Sequence, residues 1–143
     1  RKYIYKMHIN KNPFLKDLSY YYNKKININL LNDACEILKS NQDFKSFCKV
    51  KTDVTHYRCS VKKIQWSANN NDFIFEIESN RFLRGMVRTI VGTMLQLNEG
   101  KMNLKDFEKI ILSGDRKNAG LSVFSGGLYL KEISYPNNWK PRN

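Results

Sequence analysis

The chain has 143 residues, with 25 Lys and Arg against 13 Asp and Glu, which gives a net charge of +12. This length suits one domain spanning residues 1–143, and an aromatic content of 13% argues against a disordered chain. No apolar run approaches the roughly 20 residues that a membrane-spanning helix needs. The charge favours a polyanionic partner, with nucleic acid first and an anionic membrane surface second; an inert basic surface is the remaining alternative.

The first half of the chain predicts one strand and one helix. Residues 3–9 alternate with a period of two, which is typical of a strand, and residues 14–22 read as an aromatic loop with one short turn. Asn29 is the expected cap of a helix over residues 30–40, whose apolar positions share one face.

A β-hairpin is predicted in the middle of the chain. Residues 57–66 and 73–78 both alternate, and the polar segment 67–72, with three successive asparagines, predicts the turn between them. Because Ile74 adds an apolar residue to the second face of its strand, that strand is expected to lie inside the sheet.

Two further helices and a last strand are predicted in the second half. Residues 82–97 carry a wide apolar face, which indicates a mostly buried helix. Asn103 is the expected cap of a helix over residues 104–112, which Gly114 ends. Residues 115–127 read as a loop, and residues 128–133 as a strand. The expected fold class is α+β, an antiparallel sheet with helices packed on one face.

Three arginines are the main candidates for chemistry. Arg81, Arg84 and Arg88 are three and four residues apart, so they would share one face of the predicted helix. Arg88 lies among apolar residues and cannot lose its charge, so it needs a carboxylate, a phosphate or carbonyl groups. It either forms a structural pair, with Glu76 or Glu78 as nearby partners, or it holds a catalytic carboxylate or a phosphate.

Aromatic and cysteine residues leave alternatives open. Tyr3 and Tyr5 share one strand face, where they are either core residues or a stacking platform for an unpaired base. The three cysteines and two histidines have no metal-site spacing, which favours reduced thiols.

Five short blocks form a combined pattern along the chain. They are Arg1-Lys2-Tyr3-Ile4-Tyr5, Asp43-Phe44-Lys45-Ser46-Phe47, Thr55-His56-Tyr57-Arg58, the run NRFLRGMVRTIVG at residues 80–92, and Gly127-Leu128-Tyr129-Leu130. In this order they resemble the basic strand with two alternate tyrosines, the DFxSF turn, the TxxR motif, the NxFLxxMVRxIVG helix and the GLxL strand of the TruA family of tRNA pseudouridine synthases. The resemblance is to the C-terminal half of that family, and the helix block is its most specific part.

The resemblance implies a fold, an activity and a set of roles. The fold would be pseudouridine-synthase-like, and the activity would be isomerisation of uridine to pseudouridine in the tRNA anticodon stem-loop. Tyr3 would stack on the target uracil and help remove the C5 proton, Arg88 would ion-pair with the catalytic aspartate, and Leu128 would line the uracil pocket. The candidates for RNA contacts are Arg1, Arg58, Arg81 and Arg84. The resemblance further implies no cofactor, no metal, a homodimer, and a cytoplasmic protein without membrane association.

Two departures from the family pattern leave the function open. The RTDxGVH-like motif with the nucleophilic aspartate does not occur in this sequence, so the N-terminal half is expected to be absent from the chain. The segment Leu121-Ser122-Val123-Phe124-Ser125 stands where many members have a small-residue stretch with proline, and Phe124 is expected to reshape the pocket rim. The alternatives to a synthase are a non-catalytic RNA-binding module and an inactive truncated fragment.

Overall fold

A computed structural model describes residues 1–133 of the chain. Its five strands form one sheet: β1 (Lys2–His8), β2 (Tyr20–Tyr21), β3 (Val61–Asn69), β4 (Asp72–Ser79) and β5 (Leu128–Glu132). Its three α-helices are α1 (Ile28–Lys39), α2 (Met86–Asn98) and α3 (Leu104–Ser113). The α+β class predicted from the sequence is confirmed.

The sheet is mixed rather than purely antiparallel. The strand order is β2-β1-β4-β3, and β5 pairs with β1. Every pair is antiparallel except β1 with β2, where Met7 and His8 align in parallel with Tyr20 and Tyr21. The segment between β1 and β2 returns the chain to the level of Met7, so β2 runs beside the end of β1 in the same direction. β4 lies between β1 and β3, as its apolar residues on both faces predicted.

The core lies between the sheet and the helices. Tyr5 pairs with Phe75 across β1 and β4, and both side chains are fully buried. Trp66 of β3 pairs with Phe75 and donates its indole N–H to the Met94 sulfur of α2 at 3.2 Å. Ten of the 13 residues of α2 are buried, which confirms the prediction of a mostly buried helix. These contacts place α2 on the face of the sheet that carries Tyr5.

Two of the predicted helix starts are wrong, and one helix is confirmed. Asn27, rather than Asn29, caps α1 by accepting a hydrogen bond from the Leu30 N–H at 3.1 Å. α2 begins four residues later than predicted because Gly85 has a left-handed φ of 73°. A right-handed α-helix cannot include a residue in that conformation. α3 has the predicted Asn103 cap and ends at Gly114.

The hairpin is tighter than the sequence suggested. The pairing of β3 with β4 continues to Asn69 and Asp72, which leaves a two-residue turn with Asn70 at φ 57°. Residues 57–60 lie outside β3, although Arg58 makes an isolated antiparallel bridge with Asp43. That residues 1–143 form a single domain stays a prediction, since residues 134–143 are outside the described part.

Candidate active site

A cavity of about 450 Å³ lies where the N-terminal end of α2 meets β1 and β5. β1 contributes Tyr3, β5 contributes Leu128, and α2 contributes Arg88. The full lining comprises Arg1, Tyr3, Phe82, Leu83, Arg84, Gly85, Met86, Val87, Arg88 and Leu128. The three residues to which the family resemblance assigned catalytic roles therefore border one cavity, although 125 positions separate the first from the last.

The two tyrosines of β1 have different environments. Tyr3 is half-buried and packs edge-to-face on Phe82, with ring centroids 4.9 Å apart and an interplanar angle of 82°. Tyr5 is fully buried, and its hydroxyl donates a 2.6 Å hydrogen bond to the Phe124 carbonyl. Burial raises the pKa of Tyr5, which the nearby Arg88 charge only partly opposes. Tyr5 is thus a core residue, whereas Tyr3 faces the cavity.

Arg88 is held by a backbone loop rather than by a carboxylate. Its Nε donates to the Val123 carbonyl at 2.7 Å, and the Val123 N–H donates to the Arg88 carbonyl at 3.2 Å. Within residues 1–133, no carboxylate oxygen lies within 4.0 Å of the Arg88 guanidinium. One edge of a permanently charged group is therefore fixed, while its terminal nitrogens make no hydrogen bond to a described residue.

The expected structural pair of Arg88 with Glu76 or Glu78 is wrong. Glu76 lies on the opposite face of the sheet from Tyr5, because its neighbour Phe75 points into the core and successive strand residues alternate. Lys63 and Lys131 approach the Glu76 carboxylate at 3.3 Å each, and Lys2 approaches it at 3.7 Å.

Of the four arginines predicted to contact RNA, two border the cavity. Arg1 and Arg84 line it, and Arg84 is exposed. Arg81 instead donates to the carbonyl of His56 at 3.0 Å and contacts its imidazole, and Arg58 lies outside the lining. The prediction that Arg81, Arg84 and Arg88 share one helix face is wrong, since α2 begins only at residue 86.

Phe124 does not form the rim of this cavity. Its ring packs at 6.4 Å from the ring of Tyr20 and lines a separate apolar cavity with Tyr21 and His8. Its carbonyl accepts the hydrogen bond from the hydroxyl of the core residue Tyr5. The expected effect of the Phe124 ring on the pocket rim is therefore wrong in this structure.

Sequence reasoning missed two residues that shape the site. Phe82 supports the Tyr3 ring, and Val123 orients the Arg88 guanidinium through its backbone. Phe82 belongs to the helix block that carried the family resemblance. Val123 acts through its carbonyl oxygen, so no side-chain pattern could have revealed it.

Residues 1–133 hold neither a metal-binding cluster nor a membrane-spanning helix. No group of three His, Cys, Asp or Glu side chains there is placed to hold a metal ion. The cysteines Cys35, Cys48 and Cys59 are buried and free, and burial raises the pKa of the Cys35 thiol to about 12. No helix in this part of the chain has the length and apolar character to span a membrane.

Comparison with known proteins decides the family. A family model described as tRNA pseudouridine synthase matches residues 34–136. The chain belongs to the tRNA pseudouridine synthase family. This match confirms the resemblance that the five sequence blocks indicated, and it agrees with the α+β fold.

Relatives named tRNA pseudouridine synthase A match almost the whole chain. The protein from Azobacteroides pseudotrichonymphae is 39% identical over 137 residues, which cover 96% of this chain and 55% of the relative. The protein from Parabacteroides distasonis is 36% identical over 141 residues, with 99% and 56% coverage. The one from Porphyromonas gingivalis is 37% identical over 140 residues, with 96% and 56% coverage. The chain spans about half the length of the curated relatives it matches, consistent with the C-terminal half of a family member.

Proposed function

We propose that this chain is the C-terminal half of a tRNA pseudouridine synthase that isomerises uridine in the anticodon stem-loop. The observation that carries this proposal is the meeting of Tyr3, Arg88 and Leu128 at one cavity in a chain of this family. The reaction breaks the N1 glycosidic bond, rotates the base, rejoins it to the sugar through C5 and releases the C5 proton. The target base has to leave its stack to reach such a cavity.

Each of the three residues has a part suited to its environment. Tyr3, braced edge-on by Phe82, presents its ring to the cavity and would stack on the extruded uracil; base–aromatic stacking is worth roughly 1–3 kcal/mol. Leu128 would exclude water from the detached base. Arg88 would ion-pair with a carboxylate nucleophile, whose buried charge needs a cation nearby.

The nucleophile is the missing part of this site. None of the seven aspartates of the sequence lines the cavity. The guanidinium of Arg88 has no carboxylate partner among residues 1–133. This is expected if the partner carboxylate comes from a segment outside those residues. We therefore place the nucleophilic aspartate in an N-terminal half encoded upstream of Arg1. This chain alone would then be inactive, and a homodimer and a cytoplasmic location stay predictions.

Tritium release from tRNA labelled at C5 of uridine tests the proposal. The chain would be assayed alone and with the upstream reading frame included. Release only from the extended protein is expected. In that protein, Arg88→Ala should abolish release, whereas Lys109→Ala, on the exposed face of α3, should leave it unchanged. Tyr3→Phe should keep stacking but lose any proton transfer by the hydroxyl.

Two results would contradict the proposal. Release from this chain alone would mean that one of its own aspartates is the nucleophile. No release from either protein, together with RNA binding that weakens steeply with salt, would favour the second candidate, a non-catalytic RNA-binding module. That candidate draws on the same facts, because the cavity has several arginines and no aspartate in its lining.

A further inference from the structure

The loop formed by residues 120–124 has no helix or strand of its own and packs directly on α2. A Cβ added to Gly120 would lie 3.0 Å from the Thr93 Cα, so this glycine contacts the helix backbone. Gly92 has the same part on the helix, because a Cβ there would lie 3.0 Å from the Leu121 carbonyl carbon. Two glycines therefore allow the backbone of the loop to contact the backbone of α2.

Two threonines of α2 hold the loop in this position. The Thr93 hydroxyl is fully buried, donates to the Thr89 carbonyl at 2.7 Å and accepts the Gly120 N–H at 2.9 Å. Because its proton is directed to the helix carbonyl, the hydroxyl offers a lone pair to the loop, and it does both with one small atom. The Thr89 hydroxyl lies 3.0 Å from the Ser122 hydroxyl. The first half of the loop is therefore fixed on α2 by side-chain hydroxyls.

The second half of the loop reaches the cation of the reaction cavity. Arg88 Nε donates to the Val123 carbonyl at 2.7 Å, and the Val123 N–H donates to the Arg88 carbonyl at 3.2 Å. The carbonyl of the next residue, Phe124, accepts the 2.6 Å bond from the Tyr5 hydroxyl. A guanidinium is planar, so a bond at Nε restricts the direction in which its two terminal nitrogens point. The position of the loop therefore sets the direction of the guanidinium.

We propose that Thr93 and Ser122 are positioning residues for Arg88. Their hydroxyls hold the loop on α2, so that the Val123 carbonyl aims the guanidinium into the cavity. Neither residue lines that cavity, so their effect on the reaction passes through the loop. This inference rests on the proposed function for the reaction in which Arg88 takes part. Misplacement of such a group by about 1 Å costs up to about 100-fold in rate.

Two substitutions at Thr93 separate its hydroxyl from its packing. Thr93→Val keeps the shape of the side chain and removes the hydroxyl, whereas Thr93→Ser keeps the hydroxyl and removes a methyl group. Positioning by the hydroxyl predicts that only the valine variant is impaired, and packing alone predicts the reverse. Ser122→Ala is a milder variant, because this side chain is exposed. Asn103→Ala is the control for lost stability, since it removes the cap of α3 outside the loop.

Nuclear magnetic resonance of the 143-residue chain measures how firmly Arg88 is held. Each arginine gives one Nε–Hε signal in protein labelled with nitrogen-15 at arginine, and Arg88→Lys assigns the signal of this residue. The bond to the Val123 carbonyl protects the Nε proton from exchange with water. Exchange should be about fivefold faster in Thr93→Val and faster in the same direction in Ser122→Ala, which corresponds to the loss of one net hydrogen bond. Thr93→Ser and Asn103→Ala should keep the wild-type rate.

Tritium release by the protein with the upstream reading frame connects this orientation to the reaction. Thr93→Val should lower kcat by about 10- to 100-fold and leave KM within about twofold of the wild-type value, because the substituted side chain does not border the cavity. Thr93→Ser should restore kcat, and Asn103→Ala should leave it unchanged. Circular dichroism establishes that each variant keeps the wild-type fold.

Three results would overturn the inference. Wild-type exchange of the Arg88 proton in both Thr93→Val and Ser122→Ala would mean that the hydroxyls do not hold the loop. An equal acceleration in Asn103→Ala would assign the effect to global stability. Faster exchange with unchanged kcat in Thr93→Val would mean that the direction of the guanidinium does not limit the reaction. Absence of release from the extended wild-type protein would contradict the proposed function alone, since the exchange measurement needs no activity.

Discussion

Replacing Gly92, near the middle of α2, by alanine tests whether helix propensity or tertiary packing dominates at this position. The two predict changes of opposite sign in the free energy of unfolding. In a helix interior, Gly→Ala normally stabilises by about 1 kcal/mol, because alanine restricts the unfolded chain more than glycine does. At this position, however, an added Cβ would lie 3.0 Å from the Leu121 carbonyl carbon and closer still to its oxygen. Backbone atoms cannot rotate out of the way, so the loop itself would have to move.

The cost of moving that loop follows from its contacts. Overpacking of a rigid site costs about 1–3 kcal/mol. The same loop is attached to α2 through Gly120, whose N–H donates to the Thr93 hydroxyl at 2.9 Å, and through the two Arg88–Val123 bonds. Weakening two such hydrogen bonds adds about 1 kcal/mol each. After the gain in helix propensity, we expect Gly92→Ala to destabilise the protein by about 2–4 kcal/mol.

Urea unfolding followed by circular dichroism measures this difference. With a slope of about 1–3 kcal/mol per molar urea, the midpoint should fall by at least about 0.7 M. Gly100→Ala is the control, because an added Cβ there meets no atom within 4 Å, although φ is 79°. That variant should lose only about 1 kcal/mol, from left-handed backbone strain. An unchanged or higher midpoint for Gly92→Ala would refute the steric argument.

Three further predictions concern the sheet and the helices. Tyr5→Phe removes the 2.6 Å hydrogen bond to a backbone carbonyl and should cost about 1 kcal/mol in urea unfolding; no loss would mean that water replaces the hydroxyl. Burial raises the pKa of Glu76, but two lysines outweigh it and hold that pKa below 4.5. The stability that the Glu76 carboxylate contributes is therefore present above pH 4.5 and is lost as the pH falls through the lower folded-state pKa. Glu76→Gln should make the melting temperature depend less on pH in that acid range. An unchanged dependence of the melting temperature on acid pH would contradict this. Asn103→Ala removes the capping box of α3 and should cost about 1 kcal/mol, against no change for the exposed Lys105→Ala on the same helix.

The site was only partly predictable from the sequence. The helix block identified Arg88 as an arginine that needs a partner, but the strand neighbours Glu76 and Glu78 were wrong partners. The sequence also grouped Tyr3 with Tyr5, although only Tyr3 borders the cavity. Burial depends on what packs above the strand, and the loop that covers Tyr5 lies 119 residues away from it.

The sequence by itself determined the features that depend on neighbours within a turn or two. α3 runs from its Asn103 cap to Gly114, as predicted, because the capping bonds and the left-handed glycine act within the helix itself. The alternating strands and the buried face of α2 were likewise local patterns. Tertiary structure decided the parallel pairing of β2 and the carbonyl that orients Arg88. The pairing and the carbonyl join segments that are distant in the chain, where the free energy of packing, rather than local preference, selects the arrangement.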